Sequence, residues 1–268
     1  MSSQLPSHST NNDVEYALAV LRPEESRALI GMAVARLPQV RDHLSAGRMI
    51  IVGGSTTRHV VRNLLQEDPG YEAFAVGCIQ DGLLNETPKE TRGEGPYIFE
   101  EGTHSRGWPG PALDRFEYGD LYIKGGNAID PEGNVAILMG SPVGGTIGAA
   151  WTILSARGGE LIIPISIGKL VPSAIDCCRL LGQGKHTRIM GTPVGAMPIP
   201  AGMATVVTEI TAFQSLFGVH ATVVAAGGMH DCAGSLTLHL ESSSNRIENA
   251  WNALISIREE VSSLQESG

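Results

Sequence analysis

The sequence predicts an α/β protein: a mostly parallel sheet with helices on both faces, followed by a smaller C-terminal α+β portion. Three observations carry this prediction. Short apolar runs of buried-strand length alternate with stretches of helical period, the pattern of a parallel sheet covered on both sides. Several of those runs end in polar or glycine-rich turns, and the chain holds 33 glycines in 268 residues, above the usual share of about 7%. The last third changes character, because Ser235 to Glu241 sets Leu236, Leu238 and Leu240 against Thr237, His239 and Glu241, the alternation of a half-buried strand.

In chain order, residues 1–20 read as a disordered arm, with no apolar core of a signal peptide. Arg22 to Leu44 has helical spacing through Leu29, Ile30, Ala33, Val34 and Leu37, with Pro23-Glu24-Glu25 suited to a first turn. Arg48 to Val52 reads as a strand, Gly53-Gly54 as a tight turn, and Ser55 to Leu65 as a helix. Tyr71 to Ile79 is a second strand candidate, and Thr87 to Pro111, rich in Gly, Pro and Glu, a long surface loop or lid. Leu121 to Ile123, Val135 to Met139 and Leu161 to Ile167 read as further strands. Gly144 to Ala156 and Pro172 to Leu181 read as helices. Thr205 to Glu209 and His220 to Ala226 add strands, and Ser243 to Leu264 an amphipathic helix. This divides the chain into a Rossmann-like domain over residues 21–185 and an α+β portion over 186–268.

Charge and cysteine content narrow the function classes. Lys and Arg total 19 against 28 Asp and Glu, a net charge of −9. An acidic chain lacks the basic face that nucleic acid or an anionic membrane requires. The four cysteines form no CxxC pair, and His59, His186, His220 and His239 have no metal-ligand spacing, so no metal and no cofactor are expected. No apolar run reaches the ~18 residues of a membrane span. The expected setting is cytoplasmic and the expected state a homo-oligomer.

Chemistry in such sheets gathers at the carboxyl ends of the strands, and two segments there stand out. In Ile50 to Leu65 a strand leads through Gly53-Gly54-Ser55-Thr56-Thr57-Arg58 into a helix. That arrangement offers hydroxyls, unpaired N–H groups and a positive dipole end to an anion; the bland reading is an N-cap by Ser55 or Thr56. In Gly119 to Asn134, Lys124 and Asn127 follow a buried strand, placing an ammonium and an amide at the reacting end of a ligand, while Asp130-Pro131-Glu132-Gly133 reads as a turn. Glu209, directly after an apolar strand, is a further candidate base or ligand-orienting carboxylate, or simply a strand-ending residue. Gly227 to Cys232 sets His230, Asp231 and Cys232 side by side, but neighbouring loop residues rarely meet in catalytic geometry.

Taken in order, these motifs resemble the ribose-5-phosphate isomerase A type, within the superfamily that also holds glucosamine-6-phosphate deaminases and CoA transferases. The resemblance covers about residues 25–172. It runs through the first helix and Gly-Gly-Ser-Thr at 53–56, then Gly119-Asp120-Leu121-Tyr122-Ile123-Lys124-Gly125-Gly126-Asn127, then Met139 to Trp151, and ends at Gly168-Lys169-Leu170-Val171. It implies a phosphate site built from Ser55, Thr56 and Lys169. Gly144, Gly145 and Thr146 stand at the family's glycine-rich helix start. The catalytic residues of the isomerases are replaced: Lys124 and Asn127 stand for two aspartates, Met139 for a lysine, and Ala150 for a glutamate. Proton movement in an aldose–ketose isomerase needs a positioned group, and Lys124 or Glu209 would have to supply it.

The resulting expectation is a site for a small anionic, phosphorylated metabolite, in an isomerase-like or transferase enzyme other than a typical ribose-5-phosphate isomerase. The alternatives are a non-catalytic metabolite sensor or assembly subunit, and a CoA-transferase-like enzyme. Catalytic candidates are Lys124, Asn127 and Glu209; anion-binding candidates are Gly53, Gly54, Ser55, Thr56, Thr57, Arg58, Gly144, Gly145, Thr146 and Lys169.

Overall fold

A computed structural model describes residues 14–266. The centre is a six-stranded mixed sheet in the order Thr205–Val207, Glu160–Pro164, Leu121–Ile123, Arg48–Ile51, Tyr97–Glu100, Thr103–Arg106. The first four strands are parallel to one another, and the last two extend the sheet antiparallel. The chain is therefore mixed α/β, with four parallel strands and two antiparallel additions in its central sheet.

Strand alternation sorts the side chains into two cores. Met49, Ile51, Leu121, Ile123, Ile162 and Val207 point to one face, where they pack under helices Pro23–Ala35, Ser55–Leu65 and Glu209–Phe217. Ile50, Tyr122, Leu161 and Ile163 point to the other face, against helix Gly145–Arg157 and a three-stranded antiparallel sheet of Ala128–Ile129, Val135–Met139 and Gly195–Ile199.

Several elements differ from the sequence reading. Residues 1–13 lie outside the described residues, but 14–20, expected within the arm, belong to strand Val14–Leu21. That strand is an edge of an antiparallel sheet with Ser235–Ser243 and His220–Gly227, so strands more than 200 residues apart in sequence share one layer. The expected loop over 87–111 contains strands Tyr97–Glu100 and Thr103–Arg106. Its apolar Tyr97, Ile98 and Phe99 are short, but pairing against Arg48–Ile51 buries them. The expected strand from Tyr71 splits into a helical turn, Tyr71–Phe74, and strand Gly77–Gln80, which pairs with Leu83–Glu86. Val135–Met139 lies outside the central sheet, and Thr205–Val207, placed by the sequence reading in the C-terminal portion, is a strand of it. The first helix breaks before Pro38, into Pro23–Ala35 and Pro38–Asp42, as proline at a helix start dictates.

The arrangement leaves four loops side by side at the carboxyl edge of the parallel strands. The ladder runs into them: Val52 N donates to Ile123 O at 2.9 Å, Lys124 N to Ile162 O at 3.0 Å, and Ile165 N to Val207 O at 2.9 Å.

Candidate functional site: the carboxyl edge of the parallel strands

The first loop is built to leave donors free. Helix Ser55–Leu65 starts at Gly54 with no side-chain cap, and its first intrahelical bond is Arg58 N to Gly54 O at 2.9 Å. Thr57 closes the turn instead, its hydroxyl donating to Val52 O at 2.6 Å. The hydroxyls of Ser55 and Thr56 have no hydrogen-bond partner among the described residues, so neither acts as the N-cap. Arg58 is committed elsewhere. It forms a two-pronged pair with Asp68 at 2.6 and 2.5 Å and approaches Glu24 at 3.7 Å.

The second loop carries Lys124. One pleat beyond Tyr122, it continues on the face of helix Gly145–Arg157, where the buried Tyr122 hydroxyl donates to Thr146 O at 2.8 Å. Lys124 is half-buried, and its ammonium has no hydrogen bond or ion pair among the described residues. Burial alone pushes it down from 10.5 to about 8, because a poorly solvated charge favours the neutral form. Asn127 is exposed and serves the neighbouring hairpin: its Oδ1 accepts from Leu138 N at 2.9 Å. Asp130 closes the following turn, accepting from Asn134 N and Ala174 N, both at 2.9 Å.

The third and fourth loops are locked together. Glu209 is fully buried at the start of its helix; it takes the Ser166 hydroxyl on one oxygen at 2.5 Å and the Ile167 N–H on the other at 2.9 Å. This holds the turn that carries Lys169, whose ammonium donates to Gly126 O at 2.8 Å. Burial, then repulsion from Arg27, push Lys169 down to about 8, against the pull of Glu209.

Opposite them, helix Gly145–Arg157 begins at Gly144, a left-handed residue with no side chain to cap it. Its first-turn N–H groups, those of Gly145, Thr146 and Ile147, therefore lack a side-chain acceptor, as at Gly54.

The three glycine pairs at this edge share a division of labour. At Gly53 a Cβ would lie 1.9 Å from Phe74 O, at Gly126 2.6 Å from a Val135 methyl, and at Gly144 2.9 Å from Gly148 Cα. Internal packing alone requires these three. Their neighbours are less constrained: a Cβ would meet the Thr57 hydroxyl tightly at 3.2 Å at Gly54, and nothing nearer than 3.7 Å at Gly125 and 3.8 Å at Gly145.

Sequence reasoning missed the residues that frame the edge. Glu24 collects His59 at 2.9 Å, Arg27 and Arg58. Burial raises its carboxyl, but the His59 hydrogen bond and charge, with Arg27, outweigh this and hold it at about 2. A cleft of about 290 Å³ beside it is lined by Arg22, Glu24, Arg27, Arg58, Tyr71 and Asp231. Each of its arginines is already paired with a carboxylate, which makes it a poorer anion site than the strand edge. Ser166 carried no motif; the sequence reading placed it inside the expected strand Leu161 to Ile167, which ends at Pro164 in the structure. His230 is exposed and Cys232 half-buried in the short turn before strand Ser235–Ser243.

Among the described residues there is no cluster of three or more His, Cys, Asp or Glu able to hold a metal ion. No helix among them is long and apolar enough to cross a membrane. Compared with known proteins, the chain matches no family model, no curated protein and no solved structure.

Proposed function

We propose that the carboxyl edge of the parallel strands binds a small phosphorylated metabolite. The observation that carries this reading is Lys124: an ammonium in a poorly solvated position without a counter-charge, on the same strand edge as two helix starts that have no side-chain cap. An anion there would supply the missing partner. The hydroxyls of Ser55 and Thr56, the open backbone at Gly54, Gly125 and Gly145, and the positive helix ends would hold its oxygens. Lys169, already bound to Gly126 O, sets the shape of the edge and adds positive charge. The motif order that resembles the ribose-5-phosphate isomerase type supports the same ligand class.

Lys124 is also the group able to move a proton. Near neutral pH an amine at about 8 exchanges readily between its two forms, which suits acid–base transfer at a carbon beside a carbonyl. The reaction class is isomerisation or group transfer on the phosphorylated compound, with Asn127 at the rim to orient it.

A second reading, binding without turnover, is favoured by Glu209. Both its oxygens are engaged in holding Ser166 and Ile167, so it offers no free carboxylate for proton transfer, and CoA transfer through it would require breaking both bonds.

Thermal unfolding with inorganic phosphate, ribose 5-phosphate, a nucleotide and a CoA thioester tests binding. A ligand at 100 times its Kd adds about 2.7 kcal/mol of stability. Lys124→Met abolishes the shift. A midpoint unmoved by every one of these anions refutes the site. Turnover of a ligand that binds, lost in Lys124→Met, separates the enzyme from the binding-only protein.

A further inference from the structure

The antiparallel sheet of Val14–Leu21, Ser235–Ser243 and His220–Gly227 has one face packed on the core and one face left open. On strand Val14–Leu21 the inward residues Ala19 and Leu21 are buried, while Val14, Tyr16, Leu18 and Val20 point outward and are 47% to 63% exposed. Four large apolar side chains in a row on a solvent face oppose the usual polar-out alternation of such sheets. The edge beside them carries two more. Arg258 of helix Ser244–Glu266 donates to Val20 O at 2.9 Å, which fixes that stripe of the helix against the strand. Trp251 and Ile255, in the same stripe at helical spacing, are 42% and 45% exposed.

We infer that this face is where a second copy of the chain docks, forming a two-fold dimer through the outer faces of strand Val14–Leu21 and its flanking helix. The area fits. The six side chains leave on the order of 600 Å² exposed, at the top of the roughly 300–600 Å² range of the largest apolar patch on a monomer and approaching the about 800 Å² that each partner gives to a standard interface.

The charge fits as well. A two-fold axis sets each patch against itself, so like charges would oppose like. The chain carries −9 overall, yet the outward residues of strand Val14–Leu21 are uncharged, and their register partners on the middle strand are Thr237, His239, Glu241 and Ser243. The one carboxylate there, Glu241, lies in register between Tyr16 and His220. The ring of Tyr16 stacks on His239 at 5.5 Å, which presents a flat apolar surface at the centre. The strand face of this acidic protein thus carries a single carboxylate among its outward residues and their register partners, so a two-fold copy meets it without opposed rows of like charge.

Sedimentation velocity of the full chain over a micromolar concentration range tests this. The wild-type chain sediments as a dimer. Tyr16→Thr and Leu18→Thr, which keep strand propensity and leave the folded circular dichroism unchanged, weaken dimerisation about thirtyfold or more, the effect of losing a central anchor. Ile79→Thr, at an exposed apolar position on the separate hairpin, leaves it unchanged. A monomer at every concentration overturns the inference. So does a dimer that survives both threonine variants, or one that Ile79→Thr disrupts equally.

Discussion

The ammonium of Lys169 donates to the carbonyl oxygen of Gly126 at 2.8 Å. The same segment carries Lys124, whose ammonium has no hydrogen bond or ion pair among the described residues. Two lysines at one strand edge, both held at about 8, are thus unequal: one is tied into the scaffold by a hydrogen bond and the other is not. Lys169→Met removes a poorly solvated charge but leaves the Gly126 carbonyl without its donor, so the two effects offset to within roughly 1 kcal/mol at pH 7. Lys124→Met removes a poorly solvated charge with no such bond to lose and raises stability by roughly 1–2 kcal/mol at pH 7. Urea unfolding of the two variants reads the difference directly.

The pH dependence follows from the same two groups. Their folded values lie below 10.5, so between about pH 8 and 10.5 the unfolded chain binds more protons than the folded one. Stability from these groups therefore rises with pH across that window. The gain of Lys124→Met over the wild type is largest below pH 8 and fades as pH approaches 10.5, which unfolding curves at stepped pH measure.

Glu24 gives the reverse case. Its folded value of about 2 lies below the ordinary 4.5, so its contribution is present above pH 4.5 and lost as pH falls towards 2. Glu24→Gln costs roughly 2 kcal/mol at pH 7, because His59 and Arg27 lose their carboxylate. The gap to wild type closes on acidification over that range, and a gap independent of pH would contradict the assignment.

The strand edge was legible in the sequence because apolar runs ending in Gly53-Gly54, Lys124-Gly125-Gly126 and Gly168-Lys169 are local signals, and strand polarity puts their ends together. What was not legible depends on long-range pairing. Tyr97–Glu100 is a strand because Arg48–Ile51 is there to pair with it. Val14–Leu21 is ordered by residues more than 200 positions away, its Leu21 opposite Leu236. Arg58 looked like an anion ligand from its place in the loop; Asp68, ten residues on, claims it. Glu209 showed only its position after a strand, and its partners Ser166 and Ile167 emerge only when adjacent strands align.

That alignment makes Glu209 a brace. Glu209→Gln keeps one acceptor but loses the charge from both bonds, and costs roughly 2 kcal/mol because the group is fully buried. It loosens the turn of Lys169 and weakens phosphate-induced stabilisation partially, where Lys124→Met removes it. Equal loss in both variants would place Glu209 in contact with the ligand instead.

The paired glycines give the sharpest test of which backbone faces the ligand. A Cβ at Gly53 meets Phe74 O at 1.9 Å, and one at Gly126 meets two core side chains within 2.7 Å. Backbone cannot yield at the first, and a packed core yields only at a cost at the second. Gly53→Ala and Gly126→Ala therefore destabilise the fold by about 2–3 kcal/mol or more, with or without ligand. Gly54 has an extended φ of 174°, which any residue adopts, and Gly125 has no neighbour nearer than 3.7 Å. Alanine at Gly125 leaves unfolding in buffer within about 0.5 kcal/mol of wild type, while at Gly54 it crowds the Thr57 hydroxyl at 3.2 Å and costs about 1 kcal/mol. Added methyl groups there project where the anion's oxygens would sit, so phosphate-induced stabilisation falls while the fold stands. Thermal unfolding of all four variants, with and without phosphate, separates the two classes. A ligand response retained in full by Gly54→Ala and Gly125→Ala would move the binding surface away from this edge.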